Sequence, residues 1–128
     1  MPQVIYVADD EKNIRELIAA FLTQEGFQVR TFSSGDFLLA ACGEALPDLV
    51  VLDVMLPGID GTELLGRMRA STSLRRIPVI MATAKGAEYD KIQALDLGAD
   101  YYLTKPFGVM ELVSCVKAVL RRCARPSH

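Results

Sequence analysis

The sequence predicts an α/β fold, a (βα)5 unit whose five-stranded, mostly parallel sheet carries helices on both faces. Three observations carry that expectation. Five short apolar runs alternate with five segments of helical length along 128 residues, a length that suits one domain with one core. The runs VIYVA, DLVVLD and PVIMA lack the polar alternation of a half-exposed strand, as central strands buried on both faces should. The first helical segment places Ile14, Leu17, Ile18, Phe21 and Leu22 at i, i+3, i+4, i+7 and i+8, one continuous apolar stripe.

Strands are expected at residues 4–8, 27–32, 49–53, 78–82 and 101–103. Gly26 closes the first helix as a C-terminal cap should. The second helical segment, 34–44, offers Phe37, Leu38 and Ala41 to the core, and the third, 62–70, offers Leu64, Leu65 and Met68. Pro57, Gly58 and Gly61, between the third strand and the third helix, read as turn residues. The fourth segment, 88–97, has mainly Ile92 and Leu95 as anchors, and so thin a stripe makes it a candidate moving part. The last helix starts near Gly108 and turns Leu112, Val116, Val119 and Leu120 inward, with Lys117, Arg121 and Arg122 outside.

Composition narrows the function classes. Residues are 51% hydrophobic and 23% charged, the profile of a folded globular domain, and the net charge of −2 offers no basic field for nucleic acid. The cluster of Arg121, Arg122 and Arg125 reads as cations favouring a helix C-terminus. No apolar run reaches about 18 residues, so no membrane span is expected, and no secretory signal opens the chain. Cys42, Cys115 and Cys123 are an odd number without metal-ligand spacing, which fits reduced cytoplasmic thiols. The lone histidine, His128, ends the chain, so no internal histidine can serve as a phosphohistidine donor.

In a parallel sheet the functional residues belong at the carboxyl ends of the strands. Strand one delivers Asp9 and Asp10, strand three Asp53, strand four Thr83 and strand five Lys105. Each has a plain alternative: Asp10 as a helix cap, Asp9 as a solvated loop residue, Thr83 as a last strand residue, Lys105 as a surface charge. Three carboxylates, a hydroxyl and an ammonium on one rim outweigh those readings together. Two carboxylates about 4 Å apart repel by roughly 4 kcal/mol at an effective dielectric near 20. Such a cluster calls for a divalent cation, and all-oxygen ligands without nearby His or Cys suit Mg2+ and not zinc. Asp53 would then act as nucleophile toward a phosphoryl group whose oxygens Lys105 and Thr83 neutralise, giving a Mg2+-dependent aspartyl phosphate.

These residues resemble the receiver domains of two-component response regulators. ADDEKNI, VVLDVMLPGIDG, IMATAKG and GADYYLTKPF stand in that family's order, with Thr83 thirty residues after Asp53 and Lys105 fifty-two after it. The match spans essentially the whole chain, with 1–123 read as the receiver and 124–128 as a tail or the start of a linker. The resemblance implies a flavodoxin-like, three-layer sandwich with strand order 2-1-3-4-5. It implies that Asp53 accepts a phosphoryl group from a sensor histidine kinase or a phosphotransfer protein. Mg2+ or Mn2+ would be held by Asp9, Asp10, Asp53 and the backbone carbonyl of Met55. Thr83, Lys105 and the backbone of Ala84 would bind the phosphoryl group, Thr83 and Tyr102 would form a switch pair, and the Lys105–Pro106 bond would be cis.

MLPGIDG, TAKG and KPFGVMELVSCVKAVLRR look like the receivers of winged-helix transcriptional regulators of the OmpR/PhoB type. That implies a phosphorylation-dependent homodimer through helix four, strand five and helix five, with Lys91–Glu111, Asp96–Lys117 and Asp100–Arg122 as cross-dimer ion pairs. Tyr101 and Cys115 stand where that group has Asp and Arg. DNA would be reached only through an effector domain outside these residues, and a stand-alone receiver in a phosphorelay is the alternative. A haloacid-dehalogenase-like phosphatase needs a second Asp two residues after the nucleophile, where this chain has Met55. A flavodoxin-type flavin module needs a Ser/Thr/Gly-rich loop after strand one, where this chain has acidic ADDEKN. The expectation is therefore a switch and not a turnover enzyme.

Overall fold

The computed structural model describes residues 2–84 and 88–123, with the side chains of 83, 84 and 88–91 outside the description. Five strands and five helices alternate: β1 Val4–Ala8, α1 Lys12–Gln24, β2 Gln28–Phe32, α2 Gly35–Glu44, β3 Leu49–Leu52, α3 Gly61–Ala70, β4 Val79–Ala84, α4 Glu88–Asp96, β5 Tyr101–Lys105 and α5 Val109–Cys123. The sheet is parallel throughout, in the order β2-β1-β3-β4-β5. The flavodoxin-like order expected from the resemblance is therefore present.

The continuous apolar strands face two cores at once. Tyr6, Ala8, Val50, Leu52, Val79 and Met81 pack on the side of α2, α3 and α4, against residues such as Leu38, Leu64, Met68 and Ala94. Ile5, Val7, Leu49, Val51, Ile80 and Leu103 pack on the other side, against Ile18 and Leu22 of α1 and Leu112, Val116 and Val119 of α5. Three layers result, and the central strands β1, β3 and β4 bury residues 5–8, 49–52 and 79–82 between the two cores. These central strands hold the site rigidly.

Helix ends follow their local chemistry. Ser34 Oγ accepts from Phe37 N–H at 3.3 Å and Asp60 Oδ1 from Glu63 N–H at 2.8 Å, so these residues cap α2 and α3 and lie outside them. After α1, Gly26 has φ +98°, its N–H reaching the Thr23 carbonyl and that of Phe27 the Leu22 carbonyl, which is a Schellman closure. Gly98, at φ +105°, ends α4 the same way, with Ala99 N–H on the Ala94 carbonyl.

At the amino end of β4 and β5, Arg69 joins three elements. Its guanidinium donates to the carbonyls of Gly98, Arg75 and Ile77 and to Asp100 Oδ2, over 2.8–3.2 Å. The same Asp100 oxygen accepts from Val79 N–H at 2.8 Å. The last turn of α3, the start of β4 and the α4–β5 turn are thus tied by one charged side chain.

Two expectations are corrected here, and one plain alternative falls away. Ile92 and Leu95 are exposed, and Ala94 is the buried residue among the described side chains of α4, so close approach of a small residue seats this helix. Leu38 and Ala41 face the core as expected, but Phe37 is exposed and Cys42 takes the third buried place. Asp10 does not cap α1: Glu11 occupies the cap position, and Asp9 Oδ1 accepts its N–H at 2.9 Å.

Candidate functional site

The three aspartates sit where β1 and β3 run out. Asp9 N–H donates to the Phe32 carbonyl at 3.2 Å and Asp53 N–H to the Ala8 carbonyl at 3.1 Å, extending the ladder one residue past each strand. That places both side chains on stiff backbone. Asp9 and Asp53 are 2% and 4% exposed, the buried charged residues among those described. Ligand oxygens of Asp9, Asp10 and Asp53 lie within 4.8 Å of one another, with Asp10 exposed at the mouth.

Lys105, the last residue of β5, reaches across to them. Its Nζ is 2.8 Å from Asp53 Oδ2, 3.0 Å from Asp9 Oδ2 and 3.3 Å from Glu11 Oε1. Asp53 Oδ1 accepts from Met55 N–H at 2.9 Å. Burial alone would lower the Lys105 ammonium's pKa, but hydrogen bonds and charge from Asp53 and Asp9 outweigh it and hold the group protonated. Burial pushes the Asp9 carboxyl above its ordinary value of 3.8, and the Asp53 charge adds to that. The Glu11 N–H and Lys105 act in the opposite sense without cancelling it.

One ammonium against three aspartates leaves two negative charges in a partly buried pocket. The donors are all oxygen, and they outnumber the one ammonium among them. Such a set fits a hard divalent cation, which takes carboxylates, carbonyls and water. Transition metals that favour imidazole or thiolate find no such ligand in the cluster.

Gly61 carries a role its reading as a turn residue misses. A Cβ at this position would lie 2.1 Å from the Asp53 carbonyl oxygen and 2.9 Å from Val54 Cα. Gly61 N–H donates to the Val54 carbonyl at 2.8 Å. The first turn of α3 therefore lies directly on the backbone that bears Asp53, and only a glycine permits that approach. Gly58, at φ +73°, is the true turn glycine of this loop.

The remaining predicted residues fall as follows. Thr83 and Ala84 lie opposite Thr104 and Lys105 in the β4–β5 ladder, which brings their backbone to the same rim. The Thr83 side chain, the Lys91 side chain and residues 124–128 lie outside the described residues. Tyr102 is buried in the core beside α4, in the cluster that holds Met81 and Ala94. The Met55 side chain is exposed, and the Lys105–Pro106 bond is cis.

On the face of α4, β5 and α5, Asp96, Tyr101, Glu111 and Arg122 are exposed. Burial, then the Glu111 charge, pushes the Cys115 thiol up, and the neighbouring Tyr101 acts in the opposite sense. Two expected cross-dimer partners are occupied differently. Asp100 gives its carboxylate to Arg69 and Val79, and Arg122 meets only its carbonyl, at 3.2 Å. Lys117 pairs with Glu25 at the end of α1. Six residues after Glu111 at about 100° per residue, Lys117 lies well round the helix from the stripe that holds Glu111, Cys115 and Arg122.

Comparison with known proteins agrees with this geometry. Residues 5–117 match the response regulator receiver domain family. The regulatory protein VanRc of Enterococcus gallinarum is 48% identical over 128 residues, covering 100% of this chain and 54% of that protein. The phosphate regulon transcriptional regulatory protein PhoB of Escherichia coli is 43% identical over 122 residues, covering 95% of this chain and 53% of that protein. The chain thus spans about half the length of these relatives. Among solved structures, a putative response regulator from Chloroflexus aurantiacus superposes with a TM-score of 0.90 at 38% identity, covering 95% of this chain and 100% of that one.

Proposed function

The chain belongs to the response regulator receiver domain family of two-component systems, and from that premise we propose that it is a phosphoacceptor switch in which Asp53 takes a phosphoryl group from a phosphohistidine. The observation that carries the reading is the setting of Asp53. It is a buried carboxylate on rigid backbone, with Lys105 on one oxygen and the Met55 N–H on the other. An Asp53 oxygen attacks phosphorus as the P–N bond of the donor breaks, and the imidazole nitrogen keeps the bonding electron pair. Lys105 moves from Asp53 Oδ2 to an oxygen of the transferred group, and the Thr83 hydroxyl and Ala84 N–H complete its surroundings. Receiver domains bind Mg2+ at an acidic pocket; here Asp9, Asp10, Asp53 and the Met55 carbonyl would hold Mg2+ or Mn2+, which supplies charge compensation for the carboxylates and the phosphoryl oxygens.

The position two residues after Asp53 supports a switch over a hydrolase. Met55 offers no acid to protonate a leaving group, so the phosphoryl group is kept and not turned over. A protein donor is supported by an apolar groove of about 450 Å³ beside Lys105, lined by Ile14, Leu17, Ile18, Pro106, Phe107 and Val109. Such a groove suits the apolar stripe of an amphipathic helix carrying the phosphohistidine. Output passes through the α4–β5–α5 face, where Ile92, Tyr101, Cys115, Glu111 and Arg122 would meet a second copy. The similarity to transcriptional regulators supports DNA control through an effector domain in a cytoplasmic parent protein. None of the described helices is long and apolar enough to cross a membrane.

The test is incubation with acetyl phosphate and Mg2+, followed by intact-mass measurement. Wild type should gain one phosphoryl group and Asp53→Asn none. Equal incorporation in both proteins would refute Asp53 as acceptor.

A further inference from the structure

Lys105 has three carboxylate partners of two kinds. Asp9 and Asp53 are buried and belong to the candidate cation cluster. Glu11, 3.3 Å from Nζ, is exposed and stands outside that cluster. Its backbone is pinned, because Asp9 Oδ1 accepts its N–H at 2.9 Å. It occupies the N-cap position of α1 but makes no side-chain capping bond. An ion pair so exposed adds little to stability. The contact matters for where it holds the ammonium.

We propose that Glu11 is a positioning residue for Lys105, holding the ammonium at the outer lip of the acidic site and restraining its passage to an incoming phosphoryl group. The proposal rests on the reading of Asp53 as phosphoacceptor and of its pocket as a cation site. With Asp9 and Asp53 engaged by a divalent cation, their hold on Lys105 weakens, and Glu11 is the carboxylate left to receive the ammonium. The same carboxylate, at the mouth, repels an anionic phosphodonor and competes with it for Lys105. Removing it therefore has two effects of opposite sign. Cation binding weakens, since a nearby negative charge and the outer seat for Lys105 are both lost. Phosphoryl uptake at saturating cation quickens, since Lys105 is free and the approach less repulsive. Loss of mere structural support would depress both.

The experiment measures Mg2+ affinity by calorimetry and the rate of phosphorylation by acetyl phosphate at saturating Mg2+, in wild type, Glu11→Gln, Glu11→Asp and Asp53→Asn. For Glu11→Gln the Kd for Mg2+ should rise about fivefold, and the rate should rise by about the same factor. Glu11→Asp keeps the charge but withdraws the carboxylate by one methylene. It should bind Mg2+ within about twofold of wild type yet still react faster than wild type. A Glu11→Gln protein equal to wild type in both measurements, or slower in reaction, would overturn the role. So would a Glu11→Asp rate equal to wild type, which would leave only through-space charge. Failure of wild type to take a phosphoryl group, or equal uptake by Asp53→Asn, would instead refute the underlying reading of the site.

Discussion

Two cations organise opposite ends of the same sheet, and they are answered very differently. Arg69, at the amino ends of β4 and β5, meets three backbone carbonyls and one carboxylate, so its charge is balanced and its donors have fixed acceptors. Lys105, at the carboxyl ends, meets three carboxylates with Asp10 close by, so its surroundings stay negative. A balanced cluster has nothing further to bind and serves the fold. An unbalanced one, buried on stiff strands, is left to be completed from solution. The contrast separates a structural ion pair from a functional one by counting charges around each cation.

The largest expected effect tests the structural half. Arg69→Ala leaves the Asp100 carboxylate and several carbonyls without their donor, and should cost about 3 kcal/mol of stability. Urea unfolding would measure it. Mg2+ affinity, measured on the same protein, should not change, and a large change would blur the division between the two ends.

Next comes the functional half. Mg2+ at about 100 times its Kd should add about 2.7 kcal/mol to the stability of wild type, seen as a rise in Tm. The pH dependence follows from Asp9. Its carboxyl is raised above the ordinary 3.8, chiefly by burial, so its contribution to stability is present below that value and lost as pH rises through the folded value. Acidifying the metal-free protein toward the raised value thus relieves a cost. The Mg2+ increment needs the carboxylate and should shrink across the same window. Thermal melts with and without Mg2+ from pH 7 downward would show the two curves converging, and a constant increment would argue against Asp9 as a ligand.

A smaller effect links the two halves. Gly61→Ala puts a methyl group against the Asp53 carbonyl and should cost about 2 kcal/mol through the backbone shift it forces. Phosphorylation should slow in the same protein, because the displaced backbone carries Asp53. Normal phosphorylation at reduced stability would show that the site tolerates movement of its base.

Much of this was legible in the sequence, for definite reasons. Apolar continuity locates β1, β3 and β4, and parallel topology then brings Asp9, Asp53 and Lys105 to one rim. β4 and β5 run two residues further than the apolar signal, because Thr83, Thr104 and Lys105 continue the ladder with polar side chains. Helix α4 was harder to read, since its seat is Ala94 and a small residue gives no hydrophobic signal beside exposed Ile92 and Leu95. Leu17 lies on the apolar stripe of α1 yet is exposed, because the stripe is wider than the core and its edge lines the groove beside Lys105. Arg69, Gly61 and Glu11 went unread as hub, close contact and third carboxylate, because each role depends on a neighbour distant in the chain or on backbone approach.

The most direct test locates the phosphoryl group itself. After reaction with acetyl phosphate and Mg2+, borohydride reduction converts an aspartyl phosphate to homoserine, and peptide mass mapping finds the altered residue. Homoserine is expected at Asp53 in wild type and at no residue in Lys105→Ala or in protein reacted without Mg2+. Homoserine at Asp9 or Asp10, or an unaltered Asp53 in protein that has taken up phosphoryl groups, would contradict Asp53 as the acceptor.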